Sequence, residues 1–194
     1  MLTLLWDVDD VLNDLTRRWF EDAWLVRHPG LALAFDQLTE QPATRLLGAS
    51  LDEYLDSLDQ YRNRHYRNLV PRPDIVDWFE VHGSHYRHAA LTATPIKHAP
   101  AVAEWVMRHF GHWIRAIAVV PSSRADDRHP QYDLDKGSAA EWLGFANVFI
   151  DYNLANIEAV AARGLRTIVV PRPWNSATRP ITEAIDLLGA AHSS

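Results

Sequence analysis

Two carboxylates two residues apart, Asp7 and Asp9, stand at the end of the apolar run Leu2, Leu4, Leu5, Trp6 and Val8. In an extended backbone the side chains at i and i+2 point to the same side, so such a pair can face one reactant. One carboxylate is then free to attack an electrophile while the other passes a proton to and from the leaving group. That division of labour suits phosphoryl transfer through an aspartyl phosphate. The plain structural alternative is an Asp-rich turn, Asp7-Val8-Asp9-Asp10, that only closes a buried strand.

Chemistry of this kind needs a rigid mount. Short apolar runs recur at residues 89–91, 114–120, 148–150 and 167–170, and stretches of helical period separate them. Ile75, Trp78 and Phe79 share one helical face, as do Val102, Trp105, Val106 and Phe110, with Pro100 where a first-turn proline is tolerated. Further helices are predicted over 137–143, 154–162 and 181–188. Strands alternating with helices predict an α/β fold with a doubly wound parallel sheet, whose ligands sit beyond the carboxyl ends of the strands. The stretch from Leu15 to about Pro73 breaks this rhythm. It has helical spacing at Leu15, Trp19, Ala23 and Val26, and again at Leu51, Tyr54, Leu55, Leu58 and Tyr61, but no strand. His28-Pro29-Gly30 should end its first helix, and Ser50 and Glu53 have capping-box spacing at the start of the second.

Composition narrows the chemistry. A length of 194 residues, 47% of them hydrophobic, fits one domain with a smaller lobe. With no cysteine, disulfides, thiolate zinc sites and Cys nucleophiles are excluded, so any metal must be held by oxygen or imidazole. No run approaches a membrane span and no basic segment precedes Asp7, which predicts a cytoplasmic protein without a membrane partner. A net charge of −6 argues against a nucleic acid polymer as partner. A small-molecule enzyme or an interaction domain remains.

The segment Asp7-Val8-Asp9-Asp10-Val11-Leu12, behind its hydrophobic strand, resembles the first motif of the haloacid dehalogenase (HAD) superfamily, and within it the 5′(3′)-deoxyribonucleotidase-like group. The resemblance implies a Rossmann-like core, residues 1–13 and 74–194, with a small helical cap, residues 14–73, inserted after the first strand. Asp10 stands where that group has Gly. Thr92, in Ala90-Leu91-Thr92-Ala93-Thr94-Pro95, is similar to the second motif; it is expected to end a strand and to hold a phosphate oxygen through its hydroxyl and the Ala93 amide. Lysine occurs only at 97 and 136. Lys136, opening a helix before the fourth strand, matches the third motif and is the expected phosphate-binding cation; Lys97 is expected to be solvated. Asp151, after Val148-Phe149-Ile150, resembles the metal-binding fourth motif, so that Asp7, Asp151 and the Asp9 carbonyl would hold Mg²⁺. Tyr152 replaces the usual second acid. Asn153 or Asn156 could supply an oxygen or orient a water, and Asn153 serves equally well as a helix cap. The pair Trp174-Asn175 after the fifth strand is a weaker likeness.

Other features carry less. Trp19, Phe20 and Trp24 lie on the insert and could stack a nucleobase, although packing is the expected role. Arg62, Arg64, Arg67 and Arg72 form a basic cluster near the end of the insert that could recognise an acidic or phosphorylated substrate through bidentate contacts, although a solvated helical face is the expected reading. His82, His85 and His88 do not share a helix and are not expected to bind metal. The loop from Ser122 to Asp133 could lie near the rim of the site, where Asp126 or Asp127 could replace the missing acid, although a solvated surface loop is the expected reading.

The expectation is therefore a Mg²⁺-dependent phosphomonoester hydrolase, with Asp7 as nucleophile and Asp9 as proton donor and acceptor. Its substrate would be a nucleoside monophosphate or another small phosphorylated metabolite. The alternative is a degenerate relative that binds a phosphorylated ligand or a protein partner without turnover. Abundant aromatic residues leave room for a homodimer.

Overall fold

The computed structural model describes residues 1–122, 124, 128 and 130–190, with side chains through 187. Asp126 and Asp127, named above as substitutes for an acid, lie outside the described residues. In the first strand, β1 (Thr3–Trp6), Leu4, Leu5 and Trp6 are fully buried, and Asp7 follows directly. After β1 come α1 (Leu15–Trp19), a π-helical segment (Phe20–Trp24), α2 (Leu25–Arg27), α3 (Thr44–Leu47) and α4 (Leu51–His65). The chain then alternates through α5 (Pro73–His82), β2 (Arg87–Thr94), α6 (Ala99–Phe110), β3 (Ile114–Pro121), α7 (Lys136–Leu143), β4 (Val148–Asp151), α8 (Leu154–Ala161), β5 (Arg166–Val169) and α9 (Ile181–Ala190).

Among the described residues the strands form one parallel sheet in the order β3-β2-β1-β4-β5. The doubly wound α/β prediction therefore holds, with β1 at the centre. The two faces of β1 seed two cores. Leu5 joins Leu91 and Phe149 under Ala139 and Ala140 of α7 and Ile157 and Val160 of α8. Leu4 and Trp6 face the other way, into a larger cluster with Phe79, Trp105, Phe110 and Ile185 that runs on into the insert through Trp19, Phe20 and Trp24. These three aromatic side chains are fully buried, so they pack the insert against the sheet, and nucleobase stacking is not open to them.

Local chemistry accounts for the element boundaries. Pro73 opens α5 and Pro100 lies in the first turn of α6, positions where no helical N–H partner is lost. The Ser50 hydroxyl accepts the Glu53 amide at 3.1 Å to start α4, and Asn153 caps α8 by accepting the Asn156 amide at 3.2 Å. The stem of the insert is tied by an antiparallel bridge between Asn13 and Pro71 and by the Arg72 amide donating to the Leu12 carbonyl at 2.9 Å. His88 is buried between the Trp6 indole, which donates to Nδ1 at 3.1 Å, and the Gly83 carbonyl, 2.8 Å from Nε2. Its burial lowers its pKa, as suits a neutral ring used in packing. No helix among the described residues is long and apolar enough to cross a membrane.

Candidate active site

Asp7 and Asp151 leave the carboxyl ends of adjacent central strands, and the Asp7 amide extends the β1–β4 ladder by donating to the Ile150 carbonyl at 2.8 Å. Both carboxylates reach the same ammonium. Lys136 Nζ lies 2.6 Å from Asp7 Oδ1 and 2.8 Å from Asp151 Oδ2, and the lysine is only 2% exposed. Its backbone is fixed because Asp135 caps α7, accepting the Ser138 amide at 2.7 Å. Gly137 then lets α7 approach α8 so closely that a Cβ there would come within 2.6 Å of the Ala159 carbonyl oxygen.

The charges are tuned by burial. The Asp7 carboxyl is pushed well above the usual carboxylate range by desolvation and by the charge of Asp151, with Lys136 opposing both. Burial pulls the Lys136 ammonium down, but Asp151 and Asp7 outweigh it and hold its pKa above the ordinary lysine value. Asp151 is fully buried and satisfied: it accepts the Asn153 amide at 2.8 Å on Oδ1, and the Asn156 amide group at 2.9 Å together with Lys136 on Oδ2. Asn156 therefore orients the acid of β4 directly.

Asp9 belongs to a second constellation. Tyr66 donates its hydroxyl to Asp9 Oδ1 at 2.6 Å, and Arg62 Nη2 donates to Asp9 Oδ2 at 3.1 Å. Arg62 is 8% exposed, and its other terminal nitrogen pairs with Asp59 at 3.2 Å. This corrects the expectation of a solvated arginine face: Arg67 pairs with Glu104 at the surface and Arg72 with Asp74, whereas Arg62 turns inward. Lys97 lies 3.4 Å from Asp59 while remaining half exposed. The signal missed in the sequence was the spacing of Asp59, Arg62 and Tyr66, which puts three polar groups on one face of a helical segment.

The turn carrying Asp9 is held from several sides. Asp10 has φ of +59°, a left-handed conformation that Gly adopts freely and Asp tolerates, which accounts for Asp in a Gly position. Its carboxylate accepts the Thr16 amide at 2.9 Å and the Thr16 hydroxyl, and burial raises its pKa to about 6. Arg172, after β5, donates to the Asp10 carbonyl at 2.7 Å and to Asp14 at 2.8 Å. Asn175 donates to the Tyr152 and Val170 carbonyls at 2.9 and 3.0 Å, so it fastens the loops after β4 and β5 together.

A cavity of ≈ 430 Å³ joins these groups. Asp7, Asp9, Asp10, Lys136, Ala93 and Tyr152 line one part, and α4 and the loop after β3 contribute Arg62, Ser122 and Arg124. The predicted end of the second strand at Thr92 needs correction, since β2 continues to Thr94. Ala93 lines the cavity; Thr92, next to it in the chain, is fully buried, and its hydroxyl has no hydrogen-bond partner among the described residues. Among those residues no group of three or more His, Asp or Glu side chains forms a ready metal cluster.

Solved structures of similar shape were found. A hydrolase from Streptococcus pneumoniae TIGR4 superposes with a TM-score of 0.59 at 16% identity, covering 96% of this chain and 97% of that one. A HAD-superfamily hydrolase of subfamily IA from Geobacter sulfurreducens gives 0.56 at 13% identity, covering 97% of each chain. A haloacid dehalogenase-like hydrolase from Xanthomonas campestris gives 0.56 at 15% identity, covering 100% of this chain and 94% of that one. This chain has the fold of those hydrolases. No protein-family model and no curated protein matches its sequence.

Proposed function

We propose that the protein is a phosphomonoester hydrolase acting on a small phosphorylated metabolite. The observation that carries this reading is the convergence of the Asp7 and Asp151 carboxylates on Lys136 at the carboxyl ends of two central strands, in a cavity that Asp9 also lines. A carboxylate oxygen of Asp7 forms a bond to phosphorus as the ester P–O bond breaks, and Asp9 gives its proton to the departing oxygen. Asp9, now ionised, takes a proton from water whose oxygen bonds to phosphorus; the Asp7–phosphorus bond breaks and inorganic phosphate leaves. Lys136, the Ala93 amide and the orphaned Thr92 hydroxyl would balance charge on the transferring oxygens.

The donor set fits a hard divalent cation such as Mg²⁺, because Asp7, Asp151 and the Asp9 carbonyl offer only oxygen ligands and one ammonium leaves two carboxylates under-neutralised. Bound there, the metal would supply positive charge to the nucleophile and to the phosphoryl oxygens. The binder without turnover draws on Tyr152, which stands beside Asp151 where a second acid would strengthen metal binding.

One experiment separates the two. Phosphate release is measured over a panel of phosphomonoesters that includes nucleoside monophosphates, with added Mg²⁺ or with chelator, for the native protein and Asp7→Asn. Release that needs both Asp7 and the metal supports the hydrolase. Ligand-induced thermal stabilisation without release, from any ester, supports the binder.

A further inference from the structure

Two arginines that line the cavity, Arg62 and Arg124, are held by a buried acid that the hydrolytic chemistry does not use. Asp59 lies on the inner face of α4, and three cationic side chains from separate parts of the chain converge on it. Arg124 meets it with Nε and Nη2, both at 3.0 Å, while its Nη1 donates to the Ser122 hydroxyl at 2.8 Å; Arg62 Nη1 reaches Asp59 at 3.2 Å; Lys97 Nζ reaches it at 3.4 Å. The carboxyl is held well below its usual range, since the pull of neighbouring His98, Arg124 and Arg62 overcomes the opposing effect of burial. Asp59 therefore stays ionised and fixes the planes of two guanidinium groups that line the cavity.

Arg62 carries the argument further. Its terminal nitrogens are committed to Asp9 and Asp59, but its buried Nε has no hydrogen-bond partner among the described residues. A buried charged donor left without an acceptor is costly, and planar guanidinium groups suit carboxylate and phosphate oxygens above all other ligands. Because one guanidinium spans from Asp9 to Asp59, an anion on this wall lies only a few bonds from the oxygen that Asp9 would protonate.

From this geometry, and resting on the hydrolase reading, we infer that the leaving group of the substrate carries an anionic group of its own, a carboxylate or a second phosphate, which docks on Arg62 and Arg124. Short acidic phosphoesters are then preferred over neutral-tailed ones, nucleoside monophosphates included. The ≈ 430 Å³ cavity accommodates both ends of such a molecule.

The test is calorimetric titration of the full-length Asp7→Asn protein with three ligands of equal chain length: n-propyl phosphate, 3-phosphooxypropionate and propane-1,3-diol bisphosphate. We expect one of the two tailed ligands to bind at least about ten-fold more tightly than n-propyl phosphate, the scale of one charge-assisted hydrogen bond. Which one gains identifies the tail as carboxylate or phosphate. Adding Arg124→Gln should remove most of that advantage, and Arg124→Lys should restore part of it, with melting curves confirming that each variant folds. Equal affinity for all three ligands, binding of none of them, or an advantage that survives Arg124→Gln overturns the inference. Turnover of 4-nitrophenyl phosphate by the native chain tests the hydrolase reading separately, because it needs no anionic tail.

Discussion

The two charged clusters in the cavity are built in opposite ways. Asp7, Lys136 and Asp151 sit at the ends of sheet elements and the start of a capped helix, each within one residue of a regular element, and two anions share one cation. Around Asp59 the polarity is reversed: one anion gathers cations from α4, from the turn before α6 and from the loop after β3. The first cluster is anchored by backbone that cannot shift without breaking the sheet, so it suits bond making. The second joins two residues of α4 to long side chains from a turn and a loop, and suits reading a variable part of a ligand. Arg62 joins the two through Asp9.

The sharpest way to break this contrast is to remove the shared cation. Lys136→Met leaves two buried carboxylates facing each other, and one-sided loss of a buried ion pair costs about 3–5 kcal/mol. Thermal unfolding should show a large fall in melting temperature, and phosphate release should vanish. If the variant melts like the native protein, the strand-end cluster is not the rigid unit described here.

Thr92→Val separates stability from chemistry. The hydroxyl it removes has no partner among the described residues, so the melting temperature should hold or rise, whereas turnover should fall on the order of 10²-fold if that hydroxyl holds a phosphate oxygen. Unchanged kinetics would confine Thr92 to packing.

The second cluster has its own signature in acid. The depressed pKa of Asp59 means that its contribution to stability is present above the ordinary carboxylate value, about 3.9, and is lost as pH falls through the lower folded-state value. Native protein and Asp59→Asn should differ in melting temperature at neutral pH, with the gap narrowing progressively as pH falls below about 4. A gap of constant size down to pH 3 would show that Asp59 is not the ionised node of the wall.

The smallest effect belongs to Asp10. Its pKa is raised to about 6, so between the unfolded value and that figure the folded state keeps a proton that the unfolded chain has lost; this contribution to stability fades as pH rises through the window. Asp10→Asn tolerates the same left-handed backbone without titrating, and should remove that slope. Melting curves from pH 4 to pH 7 check it; a slope identical to native would assign the pH dependence to other groups.

The sequence was most readable where candidate site residues sit beside regular structure. Apolar runs ending in acid located β1 and β4, and with them Asp7 and Asp151, while a lysine opening a helical pattern marked Lys136. The Asp59 wall was not readable in the same way. A helix face bearing Asp59 and Arg62 looks alike whether it turns to solvent or to a cavity, and Arg124 and Lys97 reach it from 65 and 38 positions away in a chain whose pairing no local rule fixes. Asp10 looked anomalous as a letter and became ordinary as a dihedral angle, since only the backbone shows why Gly or Asp fits there.

Covalent phosphorylation of Asp7 tests the strand-end cluster as the reacting centre most directly. Native protein mixed with a hydrolysed ester and Mg²⁺, quenched in acid within the first turnover and mapped by peptide mass spectrometry, should carry one phosphoryl group on Asp7 and lose it on longer incubation. Phosphate released in full while Asp7 stays unmodified, or a phosphoryl group found on another residue, would contradict it.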